Sequence, residues 1–410
     1  MGLAYAISCI VGPMPSDSAS GVPMGHQPAA SHLPLAGVRV VDLTHHVAGP
    51  YCTKWLATLG ADVIKIERPG SGDIARSLPP FPADGPHLEK SGLFLYLNTG
   101  KRSVTLDLRS ASGRDALLDL VGGSAVVVEN FRPGVLAKLG LGYETLATVN
   151  PAVVLTSISN FGQTGPYRDL QATEIVLFGM GGLMSVMGFE DSPPLKFGGY
   201  QSLYMGGMSA LTATLTALRQ AEATGSGHHV DVSLFESMVS SSFQSMVEYE
   251  YTGRVQHRSR AMFVFPCRDG YVGLNCQDHQ WRRLVKVLGI PELDSAEFAN
   301  QRDRRVNYEA LEAAILPWTL ERAKQEIYDL GQAAGLPFSY FGTIDDLLTS
   351  PQYKAREFFK RLDHPVAGAY EYPGSPIRFD GVQPTEQRAP LLGEHDEDVL
   401  RSPTLGRGAR

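Results

Sequence analysis

Val38-Arg-Val-Val-Asp-Leu-Thr44 is a near-continuous run of β-branched and apolar residues, and Gly49-Pro50 just beyond it opens a helix to Leu59. Gly60-Ala61 breaks that helix, and Asp62-Val-Ile-Lys-Ile-Glu67 repeats the strand signal. β-Branched residues suit a pleated sheet, and proline is tolerated in the first turn of a helix. Strand, helix and strand in close succession predict a βαβ unit. Because the strands do not alternate with polar residues, both faces of the sheet must be covered.

The same rhythm continues outward. Strands are predicted at 102–108, 125–129 and 153–158, with helices at 113–121 and around 135–139, and a Pro/Gly-rich loop from Pro69 to Pro86. This half reads as α/β and Rossmann-like. After Glu174 the pattern changes. Residues 175–187 and 204–223 read as helices, the second lined with Gly206, Gly207, Ala210 and Ala213, small residues that allow close helix packing. A strand at 229–234 and an amphipathic helix at 235–251 follow. Arg254, Arg258 and Arg260 mark a polar bridge. Beyond it, strands at 263–267 and 271–275 and helices at 280–288, 308–318 and 324–335 make a second, smaller α/β unit, and a Pro-punctuated tail follows. The domains expected are a disordered leader over 1–34, a large domain over 35–252, a small domain over 253–345, and a segment over 346–410.

The 410 residues are 43% hydrophobic and 19% charged, which excludes disorder as the main state. A net charge of −7 leaves no footprint for nucleic acid. No apolar run approaches the roughly 18–20 residues that span a bilayer, so no membrane partner is expected. Cys9, Cys52, Cys267 and Cys276 are scattered without C-x-x-C spacing, which argues against zinc and suits a reducing compartment; the chain reads as cytoplasmic. The adjacent pairs His45-His46 and His228-His229, taken as strand neighbours, would point to opposite faces, so no metal site is expected. No G-x-G-x-x-G follows the first strand, no G-x-S-x-G is present, and the P-loop glycine that should precede Gly100 is Leu95.

An ordered set of segments resembles the family III CoA-transferases, the group that includes carnitine-metabolism, bile-acid-inducible and α-methylacyl-CoA racemase members. They are Gly37-Val-Arg-Val-Val-Asp-Leu43 with Ala48-Gly-Pro50, and Leu59-Gly-Ala-Asp-Val-Ile-Lys-Ile-Glu-Arg-Pro-Gly70 with Gly72-Asp73. Lys101-Arg-Ser-Val-Thr-Leu-Asp-Leu108, Val127-Val-Glu-Asn-Phe-Arg-Pro-Gly134, Leu139-Gly-Leu-Gly142 and Asn150-Pro151 continue the set. Phe161-Gly-Gln-Thr-Gly-Pro-Tyr167, Gly225-Ser-Gly227 and Ala389-Pro-Leu-Leu-Gly-Glu-His395 complete it, so the likeness spans about Leu35 to Leu400. It implies a Rossmann-like large domain, a smaller α/β domain, a C-terminal segment returning to the first, and two chains interlocked as a dimer.

The resemblance further implies CoA transfer from an acyl-CoA thioester to a carboxylic acid, CoA being a substrate and no resident cofactor being needed. His46, Val47 and Ala48 match the segment near the pantetheine arm, Arg68 a residue near the adenine, and Leu106 a nucleotide contact. Asn130, Phe131 and Arg132 match a CoA-binding loop, and Lys138 a basic residue toward the phosphates. Without that likeness, Arg68, Arg132 and Lys138 would read as solvated surface charges. The catalytic Asp it leads one to expect is missing: residues 193–208 hold no acid, and the position falls near Leu203, beside Gln201 and Ser202. Glu174 matches a second acidic position that assists catalysis, and its structural alternative is a helix N-terminal carboxylate. Thr173-Glu174 replaces the His-Asp pair of the racemases, which disfavours racemisation.

Three readings follow. The chain is a nucleophile-less subunit beside an Asp-containing homologue, a self-sufficient transferase using Glu174, or a non-catalytic acyl-CoA-binding protein. Tyr200, Gln201 and Ser202 are candidate pocket groups. Met180, Met184, Met187, Met205 and Met208 are candidates for an apolar pocket wall or for plain core. The three bridge arginines are candidates for a dicarboxylate pocket or for solvated charge.

Overall fold

The structure is a computed structural model that describes residues 33–241, 243–258, 263–380, 382 and 387–401. All but the last two residues of the expected leader, and Arg260, lie outside these. The first half supplies β1 (Arg39–Asp42), β2 (Asp62–Glu67), β3 (Arg102–Thr105), β4 (Val126–Glu129), β5 (Val154–Ser159) and β6 (His229–Ser233). Its helices are α1 (Ala48–Thr58), α2 (Gly92–Leu97), α3 (Ala111–Gly122), α4 (Val135–Lys138), α5 (Tyr143–Val149), α6 (Glu174–Met180), α7 (Gln201–Thr224), α8 (Leu234–Ser241) and α9 (Phe243–Thr252).

The six strands pair in parallel in the order β3-β2-β1-β4-β5-β6. Side chains alternate across the sheet, so Val40, Val63, Val126, Val128 and Val154 pack on one face with Trp55 and Leu56 of α1 and Leu211 of α7. Val41, Ile64, Val127 and Leu155 pack on the other with Leu117 of α3 and Leu146 of α5. The order reverses between β1 and β4. In open α/β sheets, ligands bind beyond the carboxyl ends of the strands at such a switch point.

A second, antiparallel sheet joins β7 (Val264–Cys267), β8 (Gly270–Leu274) and β9 (Phe338–Tyr340). It closes its own core, Phe265, Leu274, Leu311 and Ile327 among it, with α10 (Trp281–Leu288) and the helices Tyr308–Leu320 and Lys324–Ala333. After a hairpin, β10 (Phe359–His364) with β11 (Gly368–Pro373), the chain returns to the first sheet. There His395 N–H donates to Ser103 O at 2.9 Å, and the Asp396 carboxylate accepts from Thr105 N and Oγ, each at 2.7 Å.

Two expectations are corrected, and one helix is added. The helix foreseen over 175–187 ends at Met180, because Gly182, at φ 85, turns the chain into a short 3₁₀ turn, Leu183–Ser185. Helix α2 falls beyond the expected loop, in a stretch given no element from sequence; the Ser91 hydroxyl caps it by accepting from Phe94 N–H at 3.2 Å. His45 and His46 are not strand neighbours but form the turn after β1, with His46 in the left-handed region at φ 69. Among the described residues, no helix is long and apolar enough to cross a membrane.

Candidate active site

Two loops meet at the switch point. The turn after β1 carries His45, His46 and Val47 into the N-terminus of α1, and the loop after β4 carries Asn130, Phe131 and Arg132 into α4. Asn130 ties them together: its Oδ1 accepts from His45 N–H and its Nδ2 donates to His45 O, both at 2.8 Å. His45 also packs against Phe131, ring centroids 5.6 Å apart. Behind the second loop, the Glu129 carboxylate accepts from Phe131 N–H at 2.7 Å.

Between the loops lies a cavity of about 450 Å³. His46, Val47, Ala48, Asn130, Phe131, Arg132 and Lys138 all line it, so seven of the nine residues expected to contact CoA are brought together. Arg68 and Leu106 do not line it. Arg68 is exposed, with its charge acting on His45 and Asp107, and Leu106 is buried in the core beneath α3. None of the five methionines offered as a pocket wall lines the cavity; Met180 and Met208 are exposed. Of the bridge arginines, Arg258 spends its guanidinium on the carbonyls of Phe189, Glu190 and Ser192, at 3.1–3.2 Å.

The far wall is the segment between β5 and α6. It contributes Asn160, Arg168, Asp169, Leu170 and Gln171, which sequence reading did not single out. Arg132 Nη2 donates to Gln171 Oε1 at 2.9 Å, closing the loop over the cavity. Arg168 reaches across Gly134, where an added Cβ would lie 3.1 Å from its Nη2. The only sequence signal for Arg168 was its place directly after Phe161–Tyr167, itself part of the recognised set. Arg132, Lys138 and Arg168 therefore give the rim three cations, a set that suits phosphate through charge-assisted hydrogen bonds. The N-terminus of α1 adds its favourable dipole on the same side.

Next to the cavity, though not among the residues that line it, stands a carboxylate. Glu174 opens α6, and its Oε1 accepts from Ser202 N–H at 3.0 Å while its Oε2 accepts from Ser202 Oγ at 2.5 Å. Leu203, the next residue, lines the cavity. The His46 ring meets Tyr200 edge-on at 5.1 Å. Burial holds the His46 imidazole below its usual range, with the Asp73 and Glu174 charges pulling the other way. Gln201 is exposed and Ser202 buried, so of the three candidate polar groups Tyr200 and Ser202 belong to this corner.

A buried charge network underlies the turn. Lys101 Nζ reaches Asp42 at 3.0 Å, Thr53 Oγ at 2.7 Å and Asn98 Oδ1 at 2.8 Å. Burial pushes the Lys101 ammonium down to about 8 despite the attraction of Asp42. Burial works against the Asp42 carboxylate too, but Lys101 and Lys65 outweigh it and hold the group well below the usual range.

A model of CoA-transferase family III matches residues 35–396 of this sequence. The chain belongs to CoA-transferase family III. A succinyl-CoA:mesaconate CoA-transferase of Haloarcula hispanica is 36% identical over 389 residues, covering 91% of this chain and 97% of the relative. An acetyl-CoA:oxalate CoA-transferase of Acetobacter aceti is 34% identical, covering 90% and 95%. The crystal structure of a CAIB/BAIF family protein from Brucella suis matches with a TM-score of 0.81 at 33% identity, covering 90% of this chain and 99% of that one. In this CoA-transferase two segments of the recognised set, the turn after β1 and the loop after β4, line the switch-point cavity.

Proposed function

We propose that the chain moves CoA from an acyl-CoA to a short-chain dicarboxylic acid, with CoA held along the cavity and Glu174 as the nucleophile. The observation that carries this reading is the bond pair from Ser202 to Glu174. A carboxylate from the start of α6 is bonded to the residue next to Leu203, the position on α7 where an acid was expected, and this supports Glu174 in that role. Names of relatives that join succinyl, acetyl or formyl donors to mesaconate, oxalate or glutarate support the dicarboxylate.

The chemistry then balances in four acyl displacements. A Glu174 oxygen attacks the thioester carbonyl, forming a mixed anhydride and releasing CoA thiolate. The thiolate attacks the Glu174 carbonyl, forming an enzyme thioester and releasing the donor acid. A carboxylate of the acceptor attacks that thioester, again releases thiolate, and the thiolate takes the acceptor's acyl group, returning Glu174 to its free form. Each intermediate stays activated, so little of the thioester's free energy is dissipated. The two Ser202 donors orient the attacking oxygen, and donors already in place cost no reorganisation as charge shifts.

Glu174→Gln keeps size and the Ser202 N–H bond but cannot attack, so turnover should fall by about 10³ or more. In the unaltered chain incubated with acyl-CoA, hydroxylamine should convert Glu174 to its hydroxamate, read by peptide mass. Activity that survives Glu174→Gln within a few fold would overturn the assignment. Exposed apolar side chains such as Ile175 and Phe197 support contact with a second chain. Native mass spectrometry decides whether that chain is a copy of this one or an Asp-bearing homologue.

A further inference from the structure

We propose that Asp73, backed by Lys65, is a positioning residue that sets the CoA-contacting turn by holding His46 in its left-handed conformation. The proposal rests on the reading of the switch-point cavity as the CoA site.

His46 at φ 69 adopts a backbone region that a side-chain-bearing residue enters only when its surroundings compel it. The compulsion is visible. Asp73 is fully buried, and its Oδ1 accepts from His46 N–H at 2.9 Å and from Ala75 N–H at 2.8 Å. Its carboxylate pairs with Lys65 Nζ at 2.9 Å. Lys65, also fully buried, donates to Thr44 O at 2.8 Å, two residues before His46. One ion pair therefore grips the turn from both ends, the carbonyl of Thr44 through the cation and the N–H of His46 through the anion.

The grip is itself anchored. Asp73 N–H donates to Glu67 Oε2 at 2.9 Å, and Glu67 is bound by Arg76 at 2.8 and 2.9 Å and by Ser103 Oγ at 2.6 Å. If only the packing of β2 mattered, an apolar pair of similar volume would serve as well as Lys65 and Asp73. What an apolar pair cannot do is accept from the His46 N–H. The consequence for the site is direct. The turn so fixed aims the His46 ring toward Tyr200 and Glu174 and starts α1 at Ala48, so His46, Val47 and Ala48 all face the cavity.

The test is a double-mutant cycle on the full chain, read as the dissociation constant of free CoA by titration calorimetry. Glycine enters the left-handed region without help. Asp73→Ala, which removes the acceptor for His46 N–H, should weaken CoA binding about tenfold when residue 46 is His, and by about threefold or less in a His46→Gly background, because coupled sites are non-additive. A purely structural role for Asp73 would cost the same in both backgrounds, and that equality would overturn the proposal. If Asp73→Ala does not unfold cooperatively, Asp73→Ser enters the same cycle, since serine can still serve Ala75 N–H but falls short of His46. The readout does not need Glu174. An unaltered chain that fails to bind CoA overturns the reading of the cavity and this proposal with it. A chain that binds, with equal losses in both backgrounds, overturns this proposal alone.

Discussion

Glu129 shows how one side chain ties site geometry to stability. It ends β4 with 4% exposure, and burial pushes its carboxyl up to about 7; nearby Asp231 adds to the shift, while hydrogen bonds from Ser157 and Phe131 oppose it. The unfolded chain ionises this group near 4.5. A raised native value means that the stability it contributes is fully present below 4.5 and lost as the pH climbs through 7. Between pH 4 and pH 8 the unaltered protein should therefore lose roughly 3 kcal/mol more stability than Glu129→Gln. Urea unfolding of both proteins at the two pH values measures this, and parallel losses would refute it. None of this was readable in Val127-Val-Glu-Asn-Phe131, because the shift comes from chain segments that pack around β4 only in the fold.

At the scale of elements, α7 packs closely against the start of α1. Gly206 and Gly207 read in sequence as a close-packing face, and the packing is that close. A Cβ at 206 would fall 2.1 Å from Leu234 Cδ2, and one at 207 would fall 2.6 Å from Ala48 O and 3.2 Å from the Tyr51 ring. The Leu234 side chain has some freedom to turn aside, but the Ala48 carbonyl is backbone. Gly207→Ala should therefore cost about 1–3 kcal/mol by overpacking, and it should also raise the KM for acyl-CoA, because Ala48 lines the cavity. Calorimetric unfolding together with steady-state kinetics checks both; an unchanged KM would show that α1 absorbs the strain away from its N-terminus. The strands and most helices were legible because their periodicity is local. Helix α2 was not, since Ser91-Gly-Leu-Phe-Leu-Tyr-Leu97 is short and sits among turn formers.

Across the whole molecule, the C-terminal segment works as a latch. Residues 387–401 return to the outer strand β3, where Gly393 N–H donates to Ser103 Oγ at 3.0 Å and Pro390 O accepts from Arg76 at 3.2 Å. The same Arg76 and Ser103 hold Glu67, so the latch reaches the network behind the His46 turn. Asp396→Ala removes the acceptor for Thr105 N–H and Oγ, and should destabilise the protein by about 1–3 kcal/mol by leaving those donors unpaired. Thermal unfolding checks this; an unaltered midpoint would mean that the segment adds no stability through Asp396.

The sequence alone determined the α/β class, the six strands of the large sheet and the family, because strand and helix periodicity and short motifs are written in neighbouring residues. It also named seven residues that share the cavity, since they lie on two motif-bearing loops. Glu174 was a candidate in the sequence too, but only the tertiary structure brought its carboxylate against Ser202, beside the cavity-lining Leu203. Sequence counting led to Leu203 on α7, whereas the fold brings Glu174 from α6 to the adjoining Ser202. It also decided that Arg168 joins the rim and that Asp73 and Lys65 hold the turn. Those relations join residues far apart in the chain, and they exist only once the sheet order and helix packing have set the distances between them.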